Sequence, residues 1–508
     1  MSQLRRNVLT NYIARFATIF ALFLLFPFVD HHVGASVYGI YLLVTSLTTF
    51  FTLDFGMGTA TIRYVAAAWS TDDRPQLSRV ISSSLAFFIG LAVALALLFA
   101  LSMVLAWPSL QIPANERSTA LQLLVVVGVG QLLIAIPLGV FNQVLIGIGR
   151  LDVMNVLQLV QLALRVIATV SLLALGYGIV AVAISESVLA VALGVAAWIA
   201  CRLQMADVPV NLGRARWRVV RSMAPFSLQL FVSSAAALII LQADSLIITL
   251  FLPVAAVTLY GAAYRIYQVT REVTNALTLA LVPAATARHV HDQHLRLQQL
   301  FLTATRYSNV LVLLFAVPGL LFAGIVLEAW GGPSFRAGTE VMQILLFSQL
   351  FNNNHLVAIS ILTGRGNVKA YARYHAVWAV SNIILSVILI QSIGIRGVAL
   401  GTAIPIILLE PLYIATVLKQ LSLRATDFVR GILLPSFGPA VVVGLPLWLA
   451  AWSLDIHTLF GALAASAIWA ALFGTVFYRV GVEPDDRVRV LRVLRRSRVL
   501  READVAHA

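Results

Sequence analysis

The chain has 508 residues, of which 60% are hydrophobic and 11% are charged, whereas about 25% of the residues of a soluble domain are charged. This composition excludes a soluble globular protein, since a single aqueous core stops growing at about 250–300 residues. The net charge of +14 does not indicate nucleic-acid binding, because the basic residues alternate with apolar stretches about 20 residues long. Cys201 is the only cysteine, which excludes an internal disulfide.

The first apolar run follows Arg5 and Arg6 and extends from about Tyr12 to Val29. It is too long for the core of a signal peptide and lacks a cleavage site, so we expect a retained membrane helix. Further apolar runs of about 20 residues predict an all-α polytopic membrane protein with about 14 transmembrane helices. The predicted spans are centred near residues 19, 50, 93, 130, 166, 189, 237, 266, 318, 350, 383, 407, 442 and 467.

Basic residues indicate the orientation of these spans, because Lys and Arg accumulate in short cytoplasmic loops. With the N-terminus inside, only Arg117, Arg336 and Arg396 fall in predicted outer loops, and five further arginines lie within spans. The remaining basic residues all fall on the cytoplasmic side. We therefore expect both termini to be cytoplasmic, with a basic tail at 481–508 that lies beside anionic membrane lipids.

An internal repeat relates the two halves of the chain. Three pairs of short segments match in the same order, which indicates duplication into two parallel six-helix repeats. The predicted division is a six-helix lobe at 1–222, a second at 223–430, two additional helices at 431–480 and the tail. The matched segments are 33–39 with 253–261, 149–153 with 364–368, and 176–181 with 394–399.

Polar residues at helical spacing occur on several spans, and arginines are the most informative of them, because a charge at mid-bilayer costs about 2.5–3.5 kcal/mol on insertion scales. Asn11 and Arg15 share one face of the first span, and Gln161 and Arg165 share a face of the fifth. We expect these faces to meet around a hydrated substrate cavity. Its predicted lining is Asn11, Arg15, Arg63, Gln161, Arg165, Tyr264, Arg265, Gln268 and Arg271.

Other roles for these residues remain open. Arg63 and Arg271 lie close enough to the cytoplasmic side for their side chains to reach the lipid headgroups. Aromatic and amide side chains suit carbohydrate, but they also suit tight helix packing. Five acids in or beside spans equal the five intramembrane arginines in number. Two of these acids, Asp244 and Glu410, stand among apolar neighbours, where they predict either ion coupling or a structural hydrogen bond.

The chain resembles the polysaccharide transporter family, the Wzx-type oligosaccharide flippases. The likeness rests on the fourteen spans, the Tyr-Gly pair after the first outer loop, the stretch from Asp54 to Arg63, and the Gly149-Arg150 loop. It implies two lobes that rock about a central cavity and carry an undecaprenyl-pyrophosphate-linked oligosaccharide across a bacterial inner membrane. It also implies glycosyltransferase and polymerase partners, and a proton or sodium ion as the coupling ion.

Two other functions compete with this one. An ion-coupled multidrug or toxin extruder of the same superfamily would favour an acidic cavity, whereas the arginines on spans one and five favour an anionic head group. A membrane polysaccharide polymerase or glycosyltransferase would need long outer loops that carry catalytic residues, and the predicted outer loops are short. The sequence predicts no catalytic residues, metal ligands or cofactor.

Overall fold

The computed structural model describes residues 3–51, 54–279, 294–364 and 369–482. These residues form helices joined by short turns, and no β-strand occurs among them. The side chains of residues 1–15 lie outside the described part, as does the tail beyond residue 482. The all-α fold predicted from the sequence is confirmed.

The first half of the chain contains eleven described α-helices, with one π-helical segment between α5 and α6. They are α1 (Gln3–Val33), α2 (Ala35–Phe50), α3 (Met57–Ser70), α4 (Arg74–Ala106), α5 (Arg117–Val127), α6 (Ile136–Leu138), α7 (Val140–Gly147), α8 (Leu151–Ala174), α9 (Ile179–Gln204), α10 (Trp217–Phe251) and α11 (Ala255–Leu279).

The second half contains eight described α-helices, again with one π-helical segment, which follows α17. They are α12 (His294–Leu321), α13 (Ala323–Gly331), α14 (Thr339–Gly364), α15 (Lys369–Ile393), α16 (Ile395–Gln420), α17 (Ala425–Phe428), α18 (Leu434–Ser453) and α19 (Leu459–Val480). All fourteen predicted span centres fall within helical segments.

Ten helical segments of the described chain are long and apolar enough to cross a membrane. The short helix Ala35–Thr49 and the last part of α10, Gln242–Phe251, are apolar as well. Because a span needs about 20 apolar residues, these observations confirm a multi-pass membrane protein. The count of fourteen spans stays a prediction.

The second predicted span differs from the expected continuous helix. Helix α2 ends at Phe50 and α3 begins at Met57, and between them Phe55 and Gly56 have positive φ angles of 53° and 75°. Asp54 accepts hydrogen bonds from the backbone N–H groups of Gly56 at 2.8 Å and Gly58 at 2.7 Å. Its carboxylate thereby satisfies donors that the start of α3 leaves without helical partners.

The fourth predicted span is also irregular. Between α5 and α6 the backbone forms a π-helical segment, Gly128–Ala135, and Pro137 follows directly. A π-helix places an extra residue in each turn and occurs frequently at functional sites. Gly130 is required by packing, because a Cβ there would lie 2.5 Å from the Cβ of Ser187.

The chain forms two compact units. The first comprises Met1–Val269, Leu327–Leu345 and Lys369–Ile406, and the second comprises Thr270–Val326, Leu346–Val368 and Ile407–Ala508. The division into lobes at residues 222 and 430 stays a prediction.

Within the first unit, two segments matched by the internal repeat pack against each other. A Cβ on Gly39 would lie 2.3 Å from the backbone oxygen of Val254, so only glycine fits at this contact. The hydroxyl of Thr258 also donates to the backbone oxygen of Ala35 at 2.7 Å. The Tyr-Gly pair of the first repeat therefore serves a close approach of α2 to the start of α11.

Candidate substrate cavity

An intramembrane ion pair lies between α8 and α9, which are joined by a tight turn. The Nη2 atom of Arg165 is 2.6 Å from Oε1 of Glu186. The hydroxyl of Tyr41 on α2 donates a hydrogen bond to the other carboxylate oxygen, Oε2. Both oxygens of Glu186 are thus held, one by a charge and one by a neutral donor.

Arg165 retains unused hydrogen-bonding capacity. Its Nε atom is buried and has no hydrogen-bond partner, although a guanidinium presents five N–H donors in a planar fork. The side chain is 35% exposed, against 12% for Glu186. Because Arg165 also lines the two cavities described next, it can bind a further acceptor there.

A cavity of about 260 Å³, here called the arginine cavity, lies beside this ion pair. Tyr38 and Tyr41 form part of its wall, together with Gln131 from the π-helical segment. Arg165 and Arg265 both line it, although they belong to different predicted lobes. The structure therefore brings together two of the arginines predicted to line the substrate cavity, and this pair is here called the arginine clamp.

A larger cavity of about 540 Å³, the glutamine cavity, adjoins the first. The two cavities share Gln131, Arg165 and Glu186 in their walls. Gln158 and Gln161 add amide groups that can donate and accept hydrogen bonds. This wall suits a neutral polar ligand next to the charged pair.

Arg265 on α11 occupies a different environment from Arg165. Its Nη1 atom donates to the side-chain oxygen of Gln268 at 3.3 Å, and its guanidinium lies 5.9 Å from the ring centre of Phe26. No carboxylate forms an ion pair with it among the described residues. Of the two arginines in the arginine cavity, Arg265 is therefore the one without an acidic partner in the described chain.

A third cavity of about 220 Å³, the aspartate cavity, shares Arg265 with the arginine cavity. Asp244 lies on its wall and accepts hydrogen bonds from the hydroxyl of Tyr260 and, at 3.4 Å, from that of Thr402. Asn382 donates to Thr402 at 2.8 Å. The Oδ1 atoms of Asp244 and Asn382 have no hydrogen-bond partners, so two acceptor oxygens remain available at this site.

Glu410 belongs to a separate polar cluster in the second unit. Its Oε2 atom is 2.9 Å from Nδ1 of His355, and both side chains are buried. Nearby, Asn309 donates to Asn354 at 2.8 Å and accepts from Asn353 at 2.6 Å. Neither predicted coupling acid is isolated: Asp244 has hydroxyl donors and Glu410 has a histidine.

Six predicted site residues line the three cavities, whereas Arg63, Arg271 and Glu410 are not among the described lining residues. The side chain of Arg63 is exposed on α3, and Arg271 is half-buried in the second unit with a buried Nε atom that has no hydrogen-bond partner. Asn11 and Arg15 have side chains outside the described part. The six lining residues are Gln161, Arg165, Tyr264, Arg265, Gln268 and Asp244.

Sequence reasoning missed several cavity residues. Thr18 and Gln131 each stand alone in an apolar run, where no helical stripe of polar residues points to them. His355 was also missed, although it ends the polar run that begins at Asn352 in the middle of an apolar span. A search for single amide or imidazole groups inside spans would have found all but Thr18, because such groups are costly to bury without partners.

Comparison with solved structures shows two with a similar fold. The fold is similar to that of a solved structure described as the lipid II flippase MurJ in an inward closed conformation, with a TM-score of 0.74, 14% identity, and coverage of 93% of this chain and 98% of that one. It is also similar to an inward-facing multidrug resistance transporter of the MATE family, with a TM-score of 0.63, 17% identity, and coverage of 83% and 95%.

Two sequence relatives carry descriptions of glycan transport. A putative O-antigen transporter of Shigella flexneri is 27% identical over 26% of this chain, and a probable low-salt glycan biosynthesis flippase of Haloferax volcanii is 24% identical over 39%. The matched regions span only 33% and 42% of the lengths of these two relatives.

The family assignment rests on a longer match. The family model described as polysaccharide biosynthesis protein matches residues 4–289, more than half of the chain. This region contains Arg165, Glu186, Asp244 and Arg265. The chain therefore belongs to the polysaccharide biosynthesis protein family.

Proposed function

We propose that this protein is a flippase that moves a polyprenyl-pyrophosphate-linked oligosaccharide across the bacterial inner membrane by alternating access. The observation that carries the proposal is the joint placement of Arg165 and Arg265 on one intramembrane cavity. Membership of the polysaccharide biosynthesis family supports it, as do the glycan-transport descriptions of both sequence relatives.

The chemistry of the head group explains the need for arginines. A pyrophosphate cannot cross hydrocarbon without replacement of its hydration. Guanidinium groups offer paired donors that match phosphate oxygens, and such charge-assisted hydrogen bonds are among the strong ones in proteins. The polyprenyl tail can remain in the bilayer while only the head group passes through the protein.

The sugar portion would occupy the glutamine cavity. Gln131, Gln158 and Gln161 supply amide donors and acceptors for hydroxyl groups. Because this cavity shares Arg165 with the arginine cavity, a pyrophosphate on the arginines would place its first sugar among the glutamines. The two cavities together would then bind one continuous ligand.

An ion gradient would supply the energy for transport, through an ion that binds to a buried acid. Asp244, which lines the aspartate cavity and whose Oδ1 atom has no hydrogen-bond partner, is one candidate site for a proton or sodium ion. The buried Glu410 and His355 pair is the other candidate. Asp244 is the stronger of the two, because Arg265 lines both the aspartate cavity and the proposed head-group cavity, so that ion binding would act electrostatically on the head-group site.

The main alternative, a multidrug or toxin extruder, fits the cavity less well. Such a transporter for cationic drugs would need an acid free to meet the drug. Glu186, the acid that lines the arginine and glutamine cavities, is instead paired with Arg165. An enzymatic function, such as a polysaccharide polymerase, has no specific observation in its favour. We therefore propose a transporter that acts without catalytic residues.

The cellular setting belongs to the same proposal. Both termini would face the cytoplasm, the basic tail would lie on anionic lipid headgroups, and the substrate would come from membrane glycosyltransferases. A polymerase on the opposite side would consume the translocated units. The glycan would belong to an O-antigen, a capsule or an exopolysaccharide.

Flipping of the lipid-linked oligosaccharide into the outer leaflet tests the proposal directly. Proteoliposomes containing the purified protein would be supplied with the labelled lipid in both leaflets, and a glycan-modifying reagent outside would report the accessible fraction. A flippase makes the whole pool accessible with time, whereas empty liposomes leave about half protected. Failure to move any lipid-linked glycan, with export of a cationic drug instead, would favour the extruder.

A further inference from the structure

Among the described residues that line the arginine cavity, one is acidic, and it is Glu186. The same wall carries Arg165 and Arg265, so its described ionisable side chains leave one positive charge in excess when Glu186 and both arginines are charged. Glu186 neutralises only Arg165, through the 2.6 Å contact. Glu186 therefore binds one of the two arginines that are available to an anion in this cavity.

A transporter that returns empty is stabilised by an anionic side chain that pairs with a substrate-binding arginine while no substrate is bound. A buried arginine without a partner is costly, because the loss of its hydration is not repaid by a counter-charge. When substrate is bound, the pyrophosphate supplies that counter-charge. When the cavity is empty, Glu186 supplies a counter-charge to Arg165.

We propose that Glu186 is an internal substitute for the pyrophosphate: it binds Arg165 in the empty transporter, and the incoming head group displaces it. This inference rests on the proposed flippase function. In the exchange, the pyrophosphate takes over the guanidinium of Arg165 and adds that of Arg265. No covalent bond changes, and the displaced carboxylate moves to the neighbouring wall.

The geometry holds Glu186 against Arg165 and also leaves space into which its side chain can move. Oε2 of Glu186 accepts a hydrogen bond from the neutral hydroxyl of Tyr41, so one of its two contacts carries no charge and is broken at lower cost. Glu186 also lines the glutamine cavity of about 540 Å³. Rotation of its side chain toward that cavity would move the carboxylate away from Arg165.

The exchange predicts opposite effects of Glu186 on binding and on turnover. A permanent competitor for Arg165 weakens head-group binding, and the same competitor helps to release the head group on the outer side. Glu186→Gln removes the charge but keeps an oxygen that accepts from Tyr41. We expect this variant to bind pyrophosphate about tenfold more tightly, since a carboxylate no longer competes with the head group for Arg165. Its rate of flipping should fall.

Calorimetric titration of the purified full-length protein with inorganic pyrophosphate measures this effect. The matched control is Glu116→Gln, since Glu116 also accepts a hydrogen bond from a hydroxyl, that of Ser36, and does not line the three cavities. The control should bind pyrophosphate like the unsubstituted protein. In an Arg165→Ala background, Glu186→Gln should not increase the affinity for pyrophosphate, because the guanidinium for which Glu186 and pyrophosphate compete is gone.

The outcomes separate this inference from the proposed function. If Arg165→Ala and Arg265→Ala weaken pyrophosphate binding but Glu186→Gln does not strengthen it, the exchange is wrong and the head-group site stands. If neither arginine variant changes binding, the head-group site itself is wrong. Should Glu186→Gln fail to yield folded protein, Tyr41→Phe decides: loss of its hydroxyl should strengthen binding about threefold, and unchanged or weaker binding overturns the exchange.

Discussion

Gly176 and Gly394 both adopt a left-handed backbone conformation, with φ angles of 83° and 62°. Gly176 lies two residues after the end of α8, and Gly394 directly follows the end of α15. They are the matched first residues of the segments 176–181 and 394–399. A shared backbone requirement at matched positions supports duplication as the origin of the two halves.

The first prediction is that Gly176→Ala and Gly394→Ala each destabilise the protein by about 1 kcal/mol, because a Cβ makes this conformation unfavourable. Space is not the cause, since a Cβ at Gly176 would meet no atom within 4 Å. Thermal unfolding of the purified variants measures the effect. Gly90→Ala is the control: Gly90 lies inside α4 with open space around it, so alanine there should leave the stability unchanged or raise it.

The second prediction concerns Asp54, whose carboxylate accepts from two backbone N–H groups at the start of α3. Asp54→Ala should lower stability by about 1–2 kcal/mol through loss of this cap. Asp54→Asn keeps one acceptor oxygen and should cost less. Both effects are measured by thermal unfolding. Equal stability of the alanine variant and the unsubstituted protein would contradict the capping role.

The architecture was largely predictable because it follows from hydropathy. Lipid requires each span to be a long apolar helix, and this pattern is legible in the sequence. The interruption between α2 and α3 was not predictable in the same way. It depends on positive φ angles at Phe55 and Gly56, which hydropathy does not report.

The cavity was predictable only in part, for a reason of geometry. Helical spacing indicates which residues share a face, and Gln161 and Arg165, which were predicted to share one, line the same cavity. It does not indicate which faces meet. The pairing of Arg165 with Glu186 depends on the rotation of α8 against α9, and the entry of Gln131 depends on the π-helical segment. Both are products of packing, to which the periodicity of a single helix is insensitive.

The third prediction is that Asp244→Asn abolishes the dependence of transport on an ion gradient. The substitution preserves the size of the side chain but removes the negative charge that would attract a proton or a sodium ion. Flipping in proteoliposomes with and without an imposed gradient measures the effect. Glu410→Gln, in the second unit, tests the other candidate acid. Undiminished gradient dependence in both variants would place ion coupling elsewhere.

The fourth prediction is that the loop containing Arg214 and Arg216 faces the cytoplasm. It follows from the asymmetry of basic residues, which disfavours export of an arginine-rich loop. An alkaline phosphatase fused after residue 215 should be inactive, because this reporter folds only outside the cytoplasm. A fusion in the loop that contains Arg117 should be active. Phosphatase activity at residue 215 would reverse the predicted orientation.

The fifth prediction concerns the arginines themselves. Arg165→Ala and Arg265→Ala should each weaken binding of the pyrophosphate head group by about ten- to a hundredfold, since each removes charge-assisted contacts of about 1.5–3 kcal/mol. Arg15→Ala should do the same if this residue completes the clamp. Lysine keeps the charge but lacks the planar fork, so Arg165→Lys and Arg265→Lys should restore function only in part.

Arg336→Ala is the matched control for these variants, because Arg336 forms an exposed ion pair with Glu328 at 3.2 Å, away from the cavities. Exposed pairs contribute little, about 0–1 kcal/mol, so both folding and transport should persist. Glycan export is to be measured relative to the amount of protein in the membrane. A structural role for the cavity arginines would lower that amount and leave export per molecule unchanged. Normal export per molecule by all three alanine variants would rule out the arginine clamp, while the fold and the family assignment would stand.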